Sequence, residues 1–160
     1  MRTDHRGFSL IELLIVVAII LIIAAIAIPN LLRSRIAANQ ASAIGSLRTI
    51  NTSEASYFST FGVGYSNTLL QLGPPGSGTP TAAGADLIDS VLAAGVKSGY
   101  SYVYTPALAD AQGRYNGYNV NGGPTQVGVT GNTYYFTDQT YVIRGNQTGT
   151  ASASDSPIAN

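Results

Sequence analysis

Few side chains in this sequence could do chemistry, and one of them stands in an unusual place. The 160 residues include one His, one Lys and no Cys, so a disulfide, a thiolate nucleophile and a thiolate metal site are all excluded. Glu12 lies in a run of apolar residues, 8–28, in which the only other polar side chain is Ser9. A charge in a membrane helix costs about 2.5 to 3.5 kcal/mol at mid-bilayer, and such groups usually have a functional partner. We therefore expect Glu12 to have one.

The apolar run is the element that must position Glu12. As a helix, residues 8–28 would be about 32 Å long, which is enough to cross the hydrocarbon core of a bilayer. Arg2, His5 and Arg6 precede the run, and the positive-inside rule keeps such a short basic stretch in the cytoplasm. Three interpretations remain open: a secretory signal peptide cut after Ala27, a permanent single-pass anchor, or a segment in which Glu12 has a role of its own.

The sequence Gly7-Phe8-Ser9-Leu10-Ile11-Glu12, followed by the apolar run and Pro29, closely resembles the N-terminal signature of type IV pilins and their pseudopilin relatives. The resemblance implies that a prepilin peptidase cuts between Gly7 and Phe8, removes the leader 1–7 and methylates the new amine of Phe8. It also implies that Glu12 of one subunit pairs with the N-terminal amine of a neighbour and sets the axial register. The alternative is that Glu12 is a tolerated charge near the headgroups.

Beyond the apolar run the helical pattern continues. Pro29 removes a backbone donor and crowds the carbonyl of Ala25, so we expect a kink or local melting there, with an ordinary helix end as the alternative. The apolar positions after it fall within about 140° of arc, which predicts an amphipathic helix. They are Leu32, Ile36, Ile44, Leu47, Ile50, Ala55 and Phe58. Glu54 is placed off this stripe or at its margin. One helix of about 50 residues is predicted, with a membrane or assembly half at 8–29 and an amphipathic half at 30–61.

Residues 62–144 are expected to form a globular head. Residues 62–85 are rich in Gly, Pro, Ser and Thr and predict a long surface loop or linker, and a short helix is predicted at 86–94. Four runs rich in Tyr, Val and Thr then predict antiparallel strands at 100–104, 115–120, 133–137 and 141–144. The predicted fold class is α+β, a long N-terminal helix packed on a small antiparallel sheet of about four strands, which also matches the pilin fold by resemblance.

The end of the sequence is compositionally simple. Residues 145–160 are mostly Gly, Ser, Thr, Ala and Asn, and such a tail is expected to be exposed or loosely laid on the sheet. Many pilins close a C-terminal loop with a disulfide. Without cysteine, that loop must be held by hydrogen bonds, packing or subunit contacts. Asn51 and Asn146 each begin an N-glycosylation sequon, a pattern that often arises by chance.

No constellation of residues predicts a catalytic site, and we predict that the protein is not an enzyme. If the leader is removed as the resemblance implies, His5 leaves with it, and no pair of acidic residues has neighbours that would suit them to acid-base catalysis. No cofactor is expected. Calcium is a weaker alternative, drawn from the resemblance to secretion pseudopilins, with Asp86 and Asp89 or Asp138 and Asp155 as ligands. The zero formal charge and the pI near 6.5 argue against a nucleic acid partner.

The leading functional hypothesis is a structural subunit, a major pilin, of a type IV pilus-like helical filament. The expected partners are copies of the chain itself, the prepilin peptidase, the inner-membrane pilus assembly machinery and membrane lipid. The chain is expected in the inner membrane before assembly, with its head outside the cytoplasm, and in an extracellular filament afterwards. A type II secretion pseudopilin is the alternative within the family, and a secreted or membrane-anchored binding domain is the alternative outside it.

Overall fold

A helix of 52 residues, α1 (Leu10–Phe61), leads into a small α+β head. The computed structural model describes residues 8–158, so the leader 1–7, including Gly7, lies outside the described residues. After α1 come two short helices, α2 (Leu69–Leu72) and α3 (Ser90–Ala93). The strands then follow in the order β1 (Val96–Lys97), β2 (Tyr100–Ala109), β3 (Tyr115–Pro124), β4 (Tyr134–Asp138) and β5 (Arg144–Asn146).

The chain divides into two compact units, Met1–Arg35 and Ile36–Asn160. In the described part of the first unit, α1 continues without a break through Pro29. The alternative of a helix end at this proline is therefore wrong, and residues 25–33 remain helical rather than melting. A proline inside a helix removes one hydrogen bond, and the neighbouring turns keep theirs.

The second unit contains an antiparallel sheet in the order β1-β2-β3-β4-β5, a simple meander. The predicted α+β fold is confirmed. The sheet has one strand more than the four predicted, because the two-residue β1 pairs with the start of β2. Side chains alternate between the faces of a strand, so Tyr100, Tyr102 and Tyr104 all point to one face. Tyr100 and Tyr102 are buried there, and Tyr104 is half-buried.

The last predicted strand, 141–144, is displaced. The N–H of Tyr141 donates to the carbonyl of Asp138 (2.9 Å), and Tyr141 has a φ of 63°, so these residues turn rather than extend. Pairing with β4 begins only at Arg144. Strand β5 therefore takes two of its three residues from the segment predicted to be a tail.

The helix predicted at 86–94 is shorter than expected. Asp89 is its N-cap, since one carboxylate oxygen accepts the N–H groups of Val91 (3.1 Å) and Leu92 (3.0 Å). Asp86 has a φ of 55°, outside the helical region, which delays the helix to Ser90. The predicted loop 62–85 also contains one short helix, α2.

The buried face of α1 includes polar residues that the predicted stripe left out. Leu47 and Ile50 are buried as predicted, but Ala55 is exposed and Phe58 is 44% exposed. The buried residues of α1 are Ala43, Ser46, Leu47, Ile50, Asn51, Ser53, Glu54 and Tyr57. Placing Glu54 off the stripe was wrong.

Two leucines of α2 test the packing of the head. Leu72 is 0% exposed and Leu70 is 66% exposed, in the same helical turn. Leu72→Ala is expected to lower the free energy of unfolding by about 2 to 5 kcal/mol, because it leaves a cavity in the core. Leu70→Ala should change it by less than about 0.5 kcal/mol. Urea unfolding in detergent, followed by circular dichroism, measures both, and equal losses would contradict the placement of α2.

Candidate assembly site

The first turn of α1 brings the predicted N-terminal residues together. The carbonyl of Ser9 accepts the N–H groups of Glu12 (3.1 Å) and Leu13 (3.2 Å), so the helix closes its first turn there. Glu12 lies in that turn and is exposed, where the positive end of the helix dipole favours a carboxylate. Phe8, two residues before the helix, is 74% exposed. Both residues are thus presented at one end of α1.

The surface that follows is apolar on every side. An 18-residue window of α1 has a mean hydropathy of 3.3, and none of it is buried within the described structure. The helix is long and apolar enough to cross a membrane. Its exposed large side chains include Leu10, Leu14, Val17, Ile20, Ile23 and Ile26. A surface of this kind needs lipid or other helices to cover it.

Known proteins resemble this same segment. Residues 2–28 match the family described as the prokaryotic N-terminal methylation motif. The chain is 51% identical over 55 residues to the type IV major pilin protein PilA of Myxococcus xanthus, which is 34% of this chain and 25% of that protein. It is 68% identical over 36 residues to the type IV wide pilus major component PilA4 of Thermus thermophilus, which is 22% of this chain and 28% of that protein.

The N-terminal segment therefore carries the prokaryotic N-terminal methylation motif and is similar to the corresponding segments of two type IV pilins. The match spans about a quarter of the length of these two pilins, with 25% and 28% of their residues aligned. No solved structure matches the chain. The head of this chain is therefore described from its own contacts.

The head contains a buried carboxylate that the sequence reasoning missed. Glu54 is 0% exposed, and its two oxygens accept the Ser66 N–H (3.1 Å), the Ser66 hydroxyl (2.5 Å) and the Tyr104 hydroxyl (2.7 Å). Burial raises the pKa of Glu54 above its ordinary value, against the opposing effect of these three hydrogen bonds. The cluster joins α1 to the segment after it and to β2.

Asn51, one helical turn before Glu54, makes a second buried polar contact. Its side-chain amide donates to the Thr137 hydroxyl (2.9 Å), and its oxygen accepts the Tyr118 hydroxyl (2.9 Å). Asn51 thereby joins α1 to β3 and β4. Asn51 is itself buried within the helix and its amide nitrogen is engaged, so this asparagine is not presented for glycosylation. Asn146, the other sequon residue, donates its amide to Asp155 (2.9 Å).

The spacing of Glu54 offered a signal for its burial. It lies four residues after Ile50 and seven after Leu47, which is the repeat of a buried helix face. Charged residues are seldom fully buried unless they are paired, so the residue type of Glu54 favoured exposure. The donors that allow burial come from Ser66 and Tyr104, and no local pattern connects them to the helix.

The side chains of three of the four aspartates considered for calcium make contacts within the chain. Asp89 caps α3 and pairs with the Lys97 ammonium (2.7 Å). Asp138 accepts hydrogen bonds from Thr140. Asp155 accepts hydrogen bonds within the C-terminal segment. In the part of the chain that the structure describes, no group of three or more His, Cys, Asp or Glu side chains is placed to hold a metal ion.

The raised pKa of Glu54 predicts how the stability of the head changes with pH. Because its pKa is higher in the folded chain than its ordinary 4.5, the folded state binds the proton more tightly than the unfolded state. The stability that this difference contributes is complete below pH 4.5 and is lost as the pH rises through the higher folded pKa.

Urea titrations of the wild type and Glu54→Gln between pH 4 and 8 measure this effect. The wild type should lose stability relative to Glu54→Gln as the pH rises. Asp110→Asn is the matched control. Hydrogen bonds from Arg114 hold the pKa of Asp110 below its usual 3.8, so its contribution to stability is lost mainly below about pH 4. The difference between the wild type and Asp110→Asn should therefore change little between pH 4 and 8. An unchanged difference between the wild type and Glu54→Gln across this range would contradict the assignment.

Proposed function

We propose that this chain is the major structural subunit of a type IV pilus-like helical filament. The observation that carries the proposal is the apolar N-terminal part of α1, in which an 18-residue window has no buried residue and one carboxylate, Glu12, lies in the first turn. Two relatives of this segment are named as major components of type IV pili. The role is structural rather than enzymatic.

Proteolytic processing creates an amine with which Glu12 can form an ion pair. A cut between Gly7 and Phe8 leaves a new amine at Phe8, and the prepilin peptidase methylates it. When neighbouring helices pack and exclude water, a lone carboxylate becomes costly, and an ammonium group from the next subunit offsets that cost. Because the pair forms only at one relative height, it sets the axial register between subunits.

The same helix accounts for storage and assembly. Before assembly, lipid covers residues 8–28, and the basic leader holds the N-terminus in the cytoplasm with the head on the other side. The inner-membrane assembly machinery then moves the helix from lipid into a bundle of copies, where helix contacts replace lipid contacts. Head-to-tail addition does not close on itself, so the product is an open helical polymer.

A secretion pseudopilus would use the same N-terminal chemistry. The names of the two relatives describe pilus components, which supports the pilus over the secretion filament. A secreted binding domain would instead lose the apolar helix on maturation. The mass of the mature chain separates this last alternative from the two filament functions.

Substitution of Glu12 tests the register contact. Glu12→Ala should still be cut after Gly7 and remain in the membrane, because the apolar run is intact, but filament yield should fall at least about tenfold, as when a paired buried charge is lost. Asp110→Ala, which removes a carboxylate from the head, is the control and should assemble normally. Intact mass and electron microscopy of sheared surface fibres give the two readouts.

Two results would count against the proposal. Filaments of normal number and shape from Glu12→Ala would overturn the register contact. A mature chain that begins at Ile28, or one that retains Met1, would overturn processing and the filament function together.

A further inference from the structure

The C-terminal segment runs along a strand edge of the head. The N–H of Ile158 donates to the carbonyl of Ile143 (2.9 Å), and the N–H of Gly145 donates to the carbonyl of Ser156 (3.2 Å). Arg144 and Pro157 form an antiparallel bridge. Residues 156–158 therefore cover the edge of β5 that does not pair with β4. An uncovered strand edge is a site for unwanted pairing between chains.

The carboxylate of Asp155 makes several of the polar contacts that hold this segment. Asp155 accepts the Asn146 side-chain amide (2.9 Å) on one oxygen and the Ser152 N–H (2.7 Å) and hydroxyl (3.0 Å) on the other. Its backbone carbonyl accepts the Arg144 guanidinium (2.9 Å). Asp155 thus joins β5 to the turn at residues 152–155.

The segment also lies beside a small apolar site that is separate from the main core. Ala151 is 3% exposed and Phe136 is 7% exposed, and neither belongs to the cluster formed by α1 and the inner face of the sheet. The Asn121 side-chain amide donates to the carbonyl of Ala151 (2.7 Å). Asn121 and Phe136 are paired across β3 and β4, so they share the sheet face opposite to Val120 and Thr137.

We propose that residues 147–158 form a C-terminal strap, latched by Asp155, that opens as a unit while the rest of the head stays folded. Little apolar surface holds the strap: among the described residues, Ala151 is its one fully buried residue, and Ile158 packs against the core only partly buried. Segments held mainly by partly exposed hydrogen bonds open at a lower free energy than the core. Opening would uncover the β5 edge and the ring of Phe136 together. This proposal does not depend on the filament function.

Hydrogen exchange of the full-length protein in detergent micelles, read by mass spectrometry, tests the latch. Asp155→Ala should raise amide exchange in residues 147–158 about tenfold or more, since three hydrogen bonds are lost. Exchange in residues 100–124 should stay within about twofold of the wild type. Ser152→Ala, which removes only the hydroxyl contact, should give a smaller increase confined to the same residues.

Asp110→Ala is the matched control. Asp110 also accepts backbone N–H groups, those of Gln112 and Arg114 (both 2.9 Å), but in the turn between β2 and β3. Its loss should leave exchange in the strap unchanged. Increased strap exchange in Asp110→Ala would show that any loss of stability opens the strap, and it would overturn the latch.

Two outcomes with Asp155→Ala would also overturn the proposal. Unchanged exchange in residues 147–158 would mean that Asp155 does not hold the strap in its closed conformation. An equal rise across the strap and β3 would mean that the strap opens only when the head unfolds. If Asp155→Ala does not fold, hydrogen exchange of the wild type in urea tests the proposal. The exchange rates of strap amides should depend less on urea concentration than those of β3 amides. An equal urea dependence would refute separate opening of the strap.

Discussion

The apolar surface of residues 10–28 is unfavourable in water, and the roles of the other parts of the molecule follow from the need to bury it. A helix can bury such a surface in lipid because its backbone N–H and C=O groups form hydrogen bonds within the helix itself. From residue 36 onward the same helix buries only one face, and it does so against its own head. The first part has no such cover among the described residues. In our proposal, lipid covers this part of the helix before assembly and other copies of the chain cover it afterwards.

The head holds α1 by apolar packing and by a few buried polar bonds. Leu47 and Ile50 supply buried area, while Asn51 and Glu54 contact the sheet through hydroxyl groups at defined positions. A shift of the helix by one turn would leave these polar groups without partners inside the core, and each unmet group costs about 1 to 3 kcal/mol. The polar contacts therefore fix the register of the helix on the sheet.

Local patterns predicted the features that depend on neighbours in sequence. The apolar run, the length of the helix and the strand-rich composition of the head were all readable, because each repeats within a few residues. The burial of Glu54 was not, because its donors lie 12 and 50 residues away. The turn at Tyr141 was missed for the same reason. Composition indicated a tail that is exposed or loosely laid on the sheet, but it did not indicate the contacts of Asp155 with Arg144 and Asn146. The pairing of Glu12 across subunits involves a second molecule and stays a proposal.

The chain has two glutamates, and they show how folding and assembly can be separate events. Glu54 receives its donors from Ser66 and Tyr104 of the same chain, so the head can form before any partner is present. Glu12 stands exposed in the first turn of α1, and in our proposal its partner is the amine of another subunit. Because that amine exists only after cleavage beyond Gly7, an unprocessed chain could fold its head and remain in the membrane but could not complete the contact. Processing would then decide when a folded subunit becomes able to polymerise.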